Sequence, residues 1–159
     1  MTAKLQRLSR FWPAVLLASA LALVAMTMLS VGASSSGTLV TATGQHRLTL
    51  EVANTPETRE IGLMDRPSMA ADTGMLFDFK ETRPVTMWMK NTYLSLDMLF
   101  LDEAGKVTHV AAHAQPLSLA LISSQGPVRY VVELNGGAAA QYGVKVGDHL
   151  EHPSIPSAP

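Results

Sequence analysis

The sequence predicts a mainly β or α+β fold, a compact β-barrel-like single domain with about two short helices. Stretches such as "RLTLEV" alternate apolar and polar residues with the period of a half-buried strand. Short apolar runs such as "MLFDF" and "VRYVVELN" recur between Gly, Pro, Asn and Asp punctuation, as buried strands do. The two helix signals are short and do not alternate with the strands as βαβ units would, which leaves a barrel or roll.

From the N-terminus, "KLQRLSR" supplies Lys4, Arg7 and Arg10 with no acid, and "FWPAVLLASALALVAMTML" follows as an apolar run. Residues 1–33 therefore read as a signal peptide cut between Ala33 and Ser34, or as an N-terminal membrane anchor through residues 11–31. Under either reading the basic end stays in the cytoplasm and the rest crosses, so the domain is expected to be exported, periplasmic or extracellular. Residues 34–38, "SSSGT", read as a linker. The domain proper is expected over 39–151, with 152–159 a disordered tail.

Within the domain, "LVTATGQHRLTLEVAN" predicts a hairpin turning at Gly44-Gln45. At "NTPETREIGLM", Thr55 can cap and Pro56 suits the first helical position. A helix over about 56–64 follows, with Ile61 and Met64 on its buried side. "MLFDF", "VTMWMK", "LSLDMLFLD", "KVTHVAAHA" and "VRYVVELN" are separate strands, "GGAAAQYG" is a short helix closed by Gly143, and "VKVGDHLEH" is the last strand.

Charge and composition exclude several functions. Without Lys4, Arg7 and Arg10, 9 basic residues face 13 acidic ones, so no nucleic-acid partner is expected. The chain has no cysteine, which removes disulfides, thiol catalysis and thiolate metal sites. Six of the nine methionines, Met64, Met69, Met75, Met87, Met89 and Met98, fall in the domain. Thioethers can hold Cu(I), but these fall among Leu, Phe and Trp, where methionine fills gaps in a core. His109 and His113 lie about 13 Å apart if their segment is a strand, too far for one ion. No metal and no cofactor are expected, and the domain reads as a monomer.

The chemistry concentrates in "MWMKNTYLSLDMLF", which sets Lys90, Asn91, Thr92 and Asp97 among apolar residues. On a strand from Leu94 to Leu101, Asp97 shares a face with Leu99 and Leu101 while Leu96, Met98 and Phe100 take the other. Neither face is wet, so the carboxylate needs a cation, with Arg66 and Lys90 the candidates, or several backbone donors. Glu133, at the end of a buried strand, raises the same question with Arg66. In "GVKVGD", Gly143, Gly147 and Asp148 read as a structural turn.

"GLMDRPSM", "GMLFDF", "WMKNTYLSLDMLF" and "VVELNGGAAAQYGVKVGD" occur together in this order, and over about residues 40–151 the chain resembles the prokaryotic domain of unknown function 192 family. The resemblance implies a small β-rich barrel-like domain without an agreed activity, often behind an export leader. Its characteristic polar residues fall here on Arg66, Lys90, Asn91, Thr92, Asp97, Glu133, Asn135, Gly147 and Asp148. The chain departs from the pattern at Asp65, Met87 and Ser95. The leading expectation is a module binding a small polar or anionic ligand, or a partner's segment, at a site formed by "GLMDR" and "WMKNT". One alternative is an enzyme using Asp97 and Glu133 as acid and base, with Arg66 and Lys90 holding an anion. A second is a PDZ-like peptide-binding module, for which only "GVKVGD" speaks.

Overall fold

A computed structural model describes residues 33–156, so the leader reading and residues 157–159 lie outside the described residues. Seven strands form one sheet: β1 (Ser34–Thr41), β2 (Gly44–Ala53), β3 (Thr73–Met87), β4 (Leu96–Leu101), β5 (Val107–Ala114), β6 (Ile122–Asn135) and β7 (His149–Glu151). Two short helices interrupt them, α1 (Pro56–Ile61) and α2 (Ala138–Gln141). The spatial order is β5-β4-β6-β3-β2-β1-β7, and every neighbour is antiparallel except β2 with β3. The mainly β, barrel-like expectation is thus met by a sheet curled into a half-barrel.

Period two puts apolar side chains on both faces of this sheet. One face gathers Leu39, Leu48, Leu50, Leu76, Leu99, Leu101, Val132 and Leu134, with Ala139 and Tyr142 from the α2 region against them. The other gathers Met75, Phe77, Met98, Phe100 and Val131, with Leu63 and Met89 from the loops. Val85 and Val128 join this second cluster because β3 and β6 bend together after register shifts between Asp78 and Arg83 and between Pro84 and Thr86. Lys80 at φ 68° marks the bend. The two ends of the sheet touch through one bridge, Lys106 with His149. Around it Val107 N–H donates to the Asp148 carbonyl at 2.8 Å, and Leu150 N–H to the Gly105 carbonyl at 2.9 Å.

Several sequence expectations change. Residues 34–38 are no linker but the first half of β1, paired from Ser34 with Glu51 to Thr38 with Arg47. Small hydroxyl side chains say little about pairing when the backbone supplies the hydrogen bonds. The turn of that hairpin is Ala42-Thr43, since Thr41 pairs with Gly44. At the other end, residues 152–156 pack rather than fray: His152 and Ile155 are buried. Ser154 N–H donates to His152 Nδ1 at 3.1 Å, so Nε2 carries the ring proton and donates to Ser35 Oγ at 2.7 Å. Burial holds this imidazole below its ordinary pKa. "MLFDF" and "VTMWMK" are one fifteen-residue strand through Met87, not two, because the polar "KETRP" between them is the bend. Helix α1 stops at Ile61, which is exposed, because Gly62 at φ 49° turns the chain and sends Leu63 inward instead.

Candidate functional site

Arg66 follows the α1 turn, and its guanidinium forks onto Glu51 of β2, with Nη1 to Oε1 at 2.5 Å and Nη2 to Oε2 at 2.7 Å. This is the bidentate geometry at which arginine excels. The guanidinium's hydrogen bonds hold Glu51 below the ordinary carboxylate range, and Glu51 in turn raises Arg66. The pair forms one wall of a cleft of about 240 Å³, which hydroxyl-bearing Ser34, Thr49, Ser68 and Thr73 also line. Asp65 N–H donates to the Asn91 carbonyl at 2.8 Å, so the "GLMDR" and "WMKNT" loops do meet. Both residues are left-handed, at φ 58° and 53°, which Asp and Asn tolerate better than most. Asn135 Nδ2 donates to the carbonyls of Met69 and Ala70 at 3.2 and 3.1 Å and pins the cleft's outer rim.

Asp97 is fully buried and neither candidate cation answers it. Its Oδ1 accepts from His113 N–H at 2.8 Å, and its Oδ2 from Gly137 N–H at 2.9 Å and Ala139 N–H at 2.8 Å. Gly137, the residue capping α2, has no side chain to satisfy the helix's first amides. Asp97 does that from a neighbouring strand. It also holds the β5 bulge at His113, whose φ is 52°. Of the two answers the sequence left open, a cation (Arg66 or Lys90) or several backbone donors, the structure supplies three backbone donors.

Glu133 stands opposite Met75 on one side and Met98 on the other, while Asp97 stands opposite Leu134. Cross-strand partners share a face, so Asp97 and Glu133 point to opposite sides of the sheet. They cannot act as acid and base in one reaction, and the enzyme reading loses its pair. Glu133 is 4% exposed, and burial pushes its carboxyl up to about 8, with no cation or donor offsetting it among the described residues. At neutral pH it is a carboxylic acid. The register Ser34, Glu51, Met75, Glu133, Met98 runs across five strands on one face, from the Arg66 cleft into the methionine core.

Lys90 is exposed, with its ammonium 5.1 Å over the Trp88 ring. Buried Thr92 donates its hydroxyl to the Lys90 carbonyl at 3.1 Å and fixes the loop's shape. The "GVKVGD" turn is structural: Gly143 and Gly147 are left-handed at φ 65° and 103°, and Asp148 Oδ2 accepts from Lys145 N–H at 2.7 Å. Gly147 N–H donates to the Val107 carbonyl at 2.8 Å, so the turn is tied to β5 where the two ends of the sheet meet. Met75, Met89 and Met98 are buried in the core, with Met69 and Met87 packed against it.

Sequence reasoning missed Glu51, which alternation assigns to the polar face of β2. It also missed buried Asp78, whose Oδ2 takes Lys80 Nζ at 2.9 Å. Burial pushes Asp78 up, but the Lys80 hydrogen bonds and the charges of Lys80 and Arg129 hold it below its ordinary value. A second cleft of about 230 Å³ lies across the 70–73 segment, where Tyr142 donates to Asp72. Burial, with the Asp72 carboxylate beside it, pushes Tyr142 up to about 12. Among the described residues no three of His, Asp and Glu converge as a metal site would need.

Two solved structures share this architecture. A Sinorhizobium meliloti 1021 protein described as a "putative transcription regulator" is 53% identical, with a TM-score of 0.75 over 77% of this chain and 95% of that one. A protein of unknown function from Novosphingobium aromaticivorans DSM 12444 is 33% identical, with a TM-score of 0.75 over 77% of this chain and 88% of that one. No curated protein matches. The family model described as DUF192, "Uncharacterized ACR", matches residues 38–152, and the chain belongs to that family.

Proposed function

We propose that the domain is a binding module for a small polar ligand carrying both hydrogen-bond donors and acceptors, neutral or zwitterionic, received in the Arg66–Glu51 cleft. The observation that carries this reading is the partly exposed bidentate pair on a hydroxyl-lined wall, with side chains 32% and 20% exposed. A partly exposed pair of this bidentate kind contributes on the order of 1–2 kcal/mol to the fold. It presents donors and acceptors side by side. A simple anion is disfavoured, because Glu51 already occupies the guanidinium fork. The exported location remains part of the proposal and rests on the sequence of residues 1–33. A role in transcription, the word in the Sinorhizobium relative's description, draws no support from the acidic balance of the domain or from described helices of six and four residues.

A thermal-shift screen of the full chain against sugars, amino acids, cell-wall fragments, anions and metals tests the proposal. Neutral or zwitterionic compounds are expected to raise the melting temperature. Arg66→Ala should abolish that rise while lowering the unliganded protein's stability by on the order of 1–2 kcal/mol. A rise produced by simple anions alone, and enhanced in Glu51→Gln, would transfer the site to anion binding.

A further inference from the structure

We propose that the apolar end formed by loops 88–93 and 115–121 rests on a lipid surface, that of the bilayer holding the N-terminal apolar run. Trp88, Tyr93, Leu117, Leu119 and Leu121 are all exposed, Leu119 to 67% and Leu121 to 73%. Their two loops form one platform: Met89 N–H donates to the Ser118 carbonyl and Leu117 N–H to the Thr92 carbonyl, both at 3.0 Å. The pairing of Met87 with Ile122 brings Trp88 and Leu121 together behind them. Large apolar side chains gathered this way mark an interaction surface, unlike scattered exposed leucines. Leu117 is held at φ 61°, a conformation that bulky residues avoid, with its side chain in water. A partner that takes up the side chain offsets both costs.

Chemistry and position select lipid as that partner. The patch combines Trp, Tyr and aliphatic side chains with the Lys90 ammonium 5.1 Å above the indole, the set that settles at the headgroup level of a bilayer. Because β1 begins at Ser34, only residues 32 and 33 separate the fold from the expected anchor at 11–31, a reach of about 7 Å. Ser34 and Arg66 line one cleft, and Asp65, next to Arg66, is hydrogen-bonded to Asn91 between Trp88 and Tyr93. This inference rests on residues 11–31 being retained as an anchor and is independent of the ligand reading.

The test uses the full chain in phospholipid nanodiscs with Trp12→Phe, which leaves Trp88 as the sole tryptophan. Trp88 emission should shift to the blue, be quenched by lipids brominated near the top of the acyl chains, and resist aqueous iodide. Changing Leu117, Leu119 and Leu121 together to Ser alters only exposed side chains and should remove the shift and the protection while circular dichroism stays unchanged. Should that variant unfold, lipid quenching in the parent alone decides. Unshifted emission open to iodide in the parent overturns the proposal. So does cross-linking of two copies through the patch without lipid quenching, which assigns the surface to self-association. A protein whose N-terminus is Ser34 and which is absent from the membrane fraction overturns it as well.

Discussion

Glu133→Gln is expected to make the protein more stable, by on the order of 3 kcal/mol at pH 7 and 5 kcal/mol at pH 9. The carboxyl is raised from 4.5 to about 8 by burial, so the folded chain retains a proton that the unfolded chain has released between those values. A protonated Glu133 therefore contributes stability that is fully present below about pH 4.5 and is lost as pH rises through about 8. Glutamine has the same shape and no proton to lose, so its advantage should grow across that window and then level off. Urea melts of parent and variant between pH 5 and 9 check this. Equal slopes against pH would mean that Glu133 finds a cation or donor in solution. A residue that costs the fold this much at neutral pH fits a functional constraint, since sites held for function often gain stability when neutralised. Loss of ligand-induced stabilisation in Glu133→Gln would extend the Arg66 cleft inward along its register row.

Asp97 should behave in the opposite way. Asp97→Leu strands the amides of His113, Gly137 and Ala139 inside the protein, and a buried donor left unpaired costs about 1–3 kcal/mol. The summed loss is on the order of 4 kcal/mol or more, a fall of roughly 15 °C in melting temperature. Asp97→Asn keeps one oxygen, which can still serve Gly137 and Ala139. Its amide then meets the His113 N–H donor to donor, so a loss of about half that size is expected. An Asn variant that melts with the parent while ligand binding disappears would move Asp97 from the scaffold to the site.

The contrast between these carboxyls shows what the sequence held. Period two read the faces of β4 correctly, with Asp97 beside Leu99 and Leu101 and against Met98. It could not supply Asp97's partners, which are backbone amides 16, 40 and 42 residues further along and carry no side-chain signature. Glu51 was visible as a polar alternation, but alternation cannot tell a solvated face from one that a loop with an arginine will cover. Arg66 is recognisable by its motif and its partner is not. At the chain's ends composition misled: "SSSG" and "PSIP" look like linker and tail. Yet Ser35 and His152 are hydrogen-bonded to each other because β1 pairs with both β2 and β7.

The central position of β6 has a consequence for how the chain comes together during synthesis. Residues 122–135 lie between β4 and β3, so every strand made before them belongs to one of two incomplete assemblies, β1-β2-β3 or β4-β5. Neither can join the other until β6 is available, and the pairing of Gly74 with Leu134 then closes a span of 60 residues. Long-range pairings of this kind make for slow, late, cooperative folding. The nascent chain thus completes its sheet only after nearly all of it has been made.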